Sequence, residues 1–202
     1  YRFNGSNLAE RSMFWARPLI YHELVPGHHF QLSLQQENKD LPPIQRYGGG
    51  LSLTAFVEGW AEYASILAGE MGLYESAYDR YGRLVMDAFA AARLVVDTGV
   101  HSQGWSLEQA RRYMQENTFA SDTEIDSEIL RYSTDIPGQA ISYAVGPMKI
   151  QEFRAEAERV LGDEFDIRQF HAAALSSGAL PLDLLEWHLS IWTKSLTEPQ
   201  PN

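Results

Sequence analysis

Apolar positions along this 202-residue chain recur at three- and four-residue intervals, and no alternating stretch longer than a few residues interrupts them. That period marks helices with one buried stripe, so the fold class predicted is all-α. The first helix is predicted from Leu8 to Gln36, interrupted at Pro26. A loop follows from Asn38 through Pro42 and Pro43 to Gly48–Gly50, where glycine and proline break regular structure. Thr54 to Met71 reads as a strongly apolar helix, and Tyr74 to Thr98 as a long amphipathic one stopping at Gly99. Ser106 and Gln109 are spaced as a capping box opening a helix that ends near Asn117. Thr123–Ser133, Gln139–Leu161 (closed by Gly162), Asp166–Ser176 and Pro181–Leu196 complete the set, and Thr197–Asn202 reads as a polar tail.

The first helix carries the chemistry. His22, Glu23, His28 and His29 fall within eight positions of a chain that has six histidines in all. Neutral imidazoles with an adjacent glutamate are what a protein needs to hold zinc and take a proton from the water it activates. The familiar pattern, His-Glu-x-x-His, sets both imidazoles on one helical face. Here Pro26 stands four after His22 and the next imidazole is His28, six on. At about 100° per residue a regular helix would aim His28 away from His22. Pro26 has no N–H for the carbonyl of residue 22 and disfavours helical geometry at Val25, while Gly27 is free to take unusual angles. A helix ending near Val25 with a second starting at Pro26, or a local bulge, would swing His28 back. The alternative is a loop or helix junction whose histidines only cap or hydrogen-bond.

A third ligand is expected downstream. Phe56–Ala64 is an apolar run carrying Glu58 and Glu62 four apart, on one face. A glutamate among Phe56, Val57, Trp60 and Tyr63 is costly to bury unless paired or bound to metal. Glu58, beside Gly59, is the candidate ligand, and Glu62 could orient a ligand imidazole. The alternative is a solvated acidic face.

His22-Glu23-x-x-Pro26-Gly27-His28-His29-x-Gln31 resembles the signature of the bacterial family named domain of unknown function 885. So do Glu58–Tyr63, Asp97–His101 with Gly104–Ser106, Pro137–Ala140 with Ser142–Tyr143, and Leu161–Gly162 with Phe165-Asp166-x-Arg168-x-Phe170-His171. The match runs in order from about Arg11 to Glu186. It implies a helical zinc metallopeptidase of the Glu-ligand type, distantly similar to thimet oligopeptidase and angiotensin-converting enzyme, and this chain would be its catalytic half. Those relatives carry an unbroken His-Glu-x-Gly-His; aligning its Gly-His with Gly27–His28 nominates His28 over His29, with two residues inserted before it. The set implied is His22, His28 and Glu58 on zinc, with Glu23 as the base. Tyr143 or His101 would polarise the scissile carbonyl. Arg168 and His171, three apart, share a helical face. Arg168 could pair a substrate carboxylate or lock a neighbouring helix through Asp166 or Glu164; the structural role is preferred, and His171 is a weaker site candidate.

Composition bounds the rest. With 45% hydrophobic and 21% charged residues, the chain is expected to be one domain with a sizeable core. It opens on Tyr1 and is expected to be a C-terminal fragment of a longer protein. The absence of cysteine excludes disulfides and thiolate ligands. A net charge of −11 argues against nucleic acid or an anionic membrane surface as partner. No apolar run approaches the ~20 residues of a membrane span, and no signal peptide is visible. A cytoplasmic, periplasmic or lipoprotein setting and any oligomeric state stay open. The function expected is zinc-dependent hydrolysis of peptides. The rivals are hydrolysis of non-peptide esters or amides, and a helical binding module that keeps the metal site without catalysis.

Overall fold

The structure, a computed structural model, describes Gly5 and residues 12–47 and 53–197. Leu8–Arg11, Gly48–Gly50 and all of the predicted tail after Thr197 lie outside the described residues. The class is all-α, with no strand among the described residues. Among the described residues ten α-helices follow one another: α1 (Ala16–Glu23), α2 (His28–Glu37), α3 (Pro43–Tyr47), α4 (Thr54–Glu70), α5 (Ala77–Ser102), α6 (Leu107–Asn117), α7 (Asp122–Leu130), α8 (Ser142–Leu161), α9 (Ile167–Ser176) and α10 (Leu182–Thr197).

The centre of the fold is the pair α4 and α8, which share the most extensive contact. Gly59 and Gly146 make it possible. A Cβ on Gly146 would stand 2.4 Å from Gly59 Cα and 2.3 Å from the Ala55 carbonyl oxygen, so only glycine lets the two backbones meet this closely. Phe56, Trp60 and Tyr63 of α4, Ile150 and Phe153 of α8, Phe170 of α9 and Leu185 of α10 form one buried cluster around that contact. A second cluster gathers Phe89, Val96, Met114, Ile125 and Tyr132 between α5, α6 and α7. Burying apolar area at about 25 cal/mol per Å² makes such clusters the main favourable contribution to the fold.

Helix ends follow local chemistry. Ser106 accepts from the Gln109 N–H and Gln109 Oε1 accepts from the Ser106 N–H, closing the capping box its spacing predicts. Ser76 and Asp79 form another at the start of α5, so that helix begins at Ala77 rather than Tyr74. Its end differs from expectation too: α5 runs through Gly99 to Ser102. The Trp105 indole covers Gly99, where a Cβ would meet the ring at 2.6 Å. Gly99 therefore provides room for a neighbour instead of a stop. The predicted loop after Asn38 contains α3, and α7 gives way at Arg131 to a π turn ending at Asp135.

α2 is short of apolar residues and is held by amides. Buried Gln31 donates to Gln35, whose Oε1 also accepts from the Ala179 N–H at 3.0 Å. That ties α2 to the α9–α10 junction.

Candidate metal centre

α1 ends at Glu23 and α2 begins at His28, with the four residues 24–27 crossing between them. The helix is broken where Pro26 and Gly27 predict, two residues earlier than Val25. Gly27 lies on the backbone of α1: a Cβ there would be 1.8 Å from the His22 carbonyl oxygen. The Trp60 indole N–H donates to the Pro26 carbonyl at 2.9 Å, so α4 fastens the crossing beside Glu58.

The two imidazoles meet as a result, ring centroids 4.7 Å apart and nearly perpendicular. His22 Nε2 and His28 Nε2 lie 3.4 and 3.2 Å from the same oxygen, Glu58 Oε2. The ligand atoms of these three residues all fall within 4.8 Å of one another. Glu58 Oε2 is buried and accepts no hydrogen bond. Its two imidazole neighbours stand at ion-pair distance without hydrogen-bond geometry, so this buried carboxylate oxygen is incompletely satisfied, which is expensive. Two imidazole nitrogens and one carboxylate oxygen around it are a donor set that suits zinc and leaves a position open.

A layer of charge backs the three. Glu62, one turn along α4, stands 3.2 Å from His22 Nδ1, while Arg83 of α5 pairs with it at 2.7 Å. Arg83 also donates to Ser65 and Asp87, each at 2.8 Å. On the other side, Tyr143 of α8 stacks on His22 with centroids 6.2 Å apart, and its ring carries the Arg93 guanidinium at 4.5 Å. Gln139 Nε2 donates to Tyr143 Oη at 2.9 Å and to Glu58 Oε1 at 3.2 Å.

The electrostatics follow from this enclosure. Burial disfavours the His22 imidazolium, but Glu58 and Glu62 outweigh it and raise the pKa to about 9. Burial pushes the Glu58 carboxyl up, yet the two imidazoles hold it well below the usual range. Glu62 is likewise lowered against its burial, by His22 and Arg83. The Tyr143 phenol is raised, first by burial and then by Glu58.

The structure brings together His22, His28, Glu58, Glu62 and Tyr143 from the sequence candidates. Glu23 is the half-buried last residue of α1, and its side chain has no hydrogen-bond or ion-pair partner among the described residues. His29 is exposed and is not part of the group. His101 is exposed in the last turn of α5, its Nε2 2.8 Å from the Tyr132 carbonyl oxygen. His171 packs in the α4–α9 core, 2.7 Å from Tyr63 Oη and edge-on to Trp60. Arg168 pairs with Asp166 at 2.8 Å with its side chain 88% exposed; the contact stays at the N-terminus of its own helix, α9, and does not lock a neighbouring one.

Sequence reasoning missed Arg83, Arg93 and Gln139. For the first two a signal existed. Arg83, Met86, Ala90, Arg93 and Asp97 repeat at three and four residues, which sets charges on the buried stripe of α5. Asp97 Oδ2 accepts the Gly138 N–H at 2.8 Å, seating the turn from which Gln139 projects.

A family model described as "Bacterial protein of unknown function (DUF885)" matches residues 1–189. Among solved structures, a "putative lipoprotein" from Colwellia psychrerythraea is similar at a TM-score of 0.90 and 38% identity, over 96% of this chain and 32% of that one. A second protein of that designation, of unknown function, from Shewanella oneidensis is similar at a TM-score of 0.79 and 26% identity, over 92% of this chain and 34% of that one. The chain thus spans about a third of the length of these structures. No curated protein matches it.

Proposed function

The chain belongs to the bacterial family of unknown function DUF885, and from that premise we propose that it carries the catalytic site of a zinc-dependent hydrolase, most simply a metallopeptidase. One observation carries this reading: His22 Nε2 and His28 Nε2 converge on Glu58 Oε2, a buried oxygen with no hydrogen bond. His22, His28 and Glu58 would hold the ion, and Glu62 at His22 Nδ1 keeps that imidazole in the orientation that presents Nε2. Zinc in such a set supplies Lewis acidity toward a carbonyl and lowers the pKa of water toward ~7.

The remaining chemistry belongs to the chain. Glu23 follows a ligand directly and has no partner among the described residues, so its carboxylate is free to take a proton from the attacking water. It then returns that proton to the leaving amine. Tyr143, stacked on His22, offers its O–H to the oxygen that gains charge at the scissile carbonyl. The hold of Tyr132 on His101 favours Tyr143 over His101 for that task. The relatives' designation as lipoproteins supports a periplasmic or membrane-anchored setting. No helix among the described residues is long and apolar enough to cross a membrane.

Metal analysis and a mixed peptide library, applied to the complete protein, test the proposal. One zinc per protein is expected, lost in His22→Ala. Glu23→Gln should keep the metal and lower turnover by about 10²–10⁴-fold. Normal turnover in that variant removes Glu23 as the base, and a protein that takes up no zinc removes the hydrolase. Cleavage of esters but not peptides would move the substrate to the non-peptide class.

A further inference from the structure

We propose that Gln139 is a positioning residue of this site: one carboxamide fixes which oxygen of Glu58 faces the metal and frees the Tyr143 hydroxyl for substrate. The inference rests on the metal site above and extends it to a residue outside the ligand set.

The orientation of the amide is fixed by its neighbours. Gln139 Oε1 accepts from the Arg131 guanidinium at 3.3 Å, and arginine can only donate. Turning the amide over would set its N–H₂ against that guanidinium and its carbonyl against the Glu58 carboxylate. Nε2 therefore faces Glu58 Oε1 and Tyr143 Oη, spending one hydrogen on each.

Two consequences follow. Glu58 Oε1 is already occupied, which leaves Oε2, the oxygen between the imidazoles, as the one available to a cation. Tyr143 Oη acts as acceptor toward Gln139, so its own hydrogen is not used in that bond. A phenol caged this way can donate to a substrate oxygen without first breaking a bond to the protein. The seat is rigid: Gly138 adopts a left-handed φ of 82° that favours glycine, and its N–H is held by Asp97.

The test is a double-mutant cycle in the complete protein. It is read by zinc competition with a chromogenic chelator and by steady-state kinetics on a peptide from the library. Gln139→Leu should weaken zinc binding and lower kcat, each by about 10–100-fold, with KM nearly unchanged. In a Tyr143→Phe background the same substitution should still weaken zinc, acting through Glu58, but cost little further kcat at saturating zinc. Gln139→Glu preserves the volume and, ionised, cannot donate; it should reproduce the leucine losses and decides the matter if the leucine variant fails to fold. Wild-type zinc affinity and kcat in either variant overturns the proposal, as does a kcat loss equally large with and without the Tyr143 hydroxyl. Absence of zinc from the unmutated protein overturns the metal site itself, and is seen before any variant is made.

Discussion

Gly146→Ala probes the contact on which the site is built. The added methyl would stand 2.4 Å from Gly59 Cα and 2.3 Å from the Ala55 carbonyl oxygen, where ordinary contact begins near 3.4 Å. Both obstacles are backbone, so no side chain can rotate away, and α4 must part from α8 by about 1 Å. Overpacking of this kind costs roughly 1–3 kcal/mol, and the upper end applies when helices must separate. For a chain of this size the upper end is a drop in melting temperature of roughly 6–12 °C. The same shift acts on chemistry, because Glu58 precedes Gly59 and Tyr143 lies one turn before Gly146. A displacement of about 1 Å between them can lower turnover by up to ~10²-fold. Thermal melting by circular dichroism, zinc competition and peptide hydrolysis measure the three effects. Met148→Ala, on an exposed side chain of the same helix, is the control and should stay within about 0.5 kcal/mol. A Gly146→Ala protein that melts and binds zinc like the parent would refute the close approach of α4 and α8.

Two further outcomes are expected. Glu62→Gln should weaken zinc binding by about 10–100-fold, since His22 loses the carboxylate at Nδ1. It should also cost about 3 kcal/mol in urea unfolding, the lower end for breaking a buried pair, because Asp87 remains on Arg83. Burial, and then Arg154 beside it, lowers the His171 pKa to about 4 from an ordinary 6.5. As pH falls, the unfolded chain therefore takes up this proton first, and the contribution, complete above about 6.5, is lost on descending to about 4. His171→Gln should flatten that part of the stability profile; an unchanged acid profile would show that His171 does not set it.

Much of the helical framework was legible because caps and breakers act locally. Ser106 and Gln109 need only each other, and Gly162 ends α8 with a positive φ that suits glycine. Gly99 deceived for a non-local reason: its missing side chain serves Trp105, which arrives after the chain has turned. α3 was hidden in a stretch whose prolines and glycines suggest loop, yet Pro43 sits at its first residue, where proline's missing N–H costs nothing. Among the candidate site residues, Glu58 and Glu62 were legible from their four-residue spacing in an apolar run only when read together with the histidine cluster upstream. For Arg83 the α5 periodicity shows a charge on the buried stripe but not its partner, and Gln139 shows neither, because their partners lie 21 and 81 positions away.

The choice between His28 and His29 shows where a one-dimensional pattern runs out. Adjacent residues on a helix point about 100° apart, so only one of the two can face His22, and which one depends on the path of residues 24–27. That path is set from outside the segment. Trp60 holds the Pro26 carbonyl, Gly27 presses on the carbonyl of His22, and the amides of Gln31 and Gln35 fix α2 against the α9–α10 junction. Together these turn His28 Nε2 onto Glu58 and leave His29 in solvent. An unbroken His-Glu-x-x-His helix needs none of this, since one turn aligns its imidazoles automatically. Here the alignment is a tertiary property, so substitutions at Trp60 or Gln35 should weaken zinc binding at the candidate site, read by zinc competition, although neither residue belongs to it.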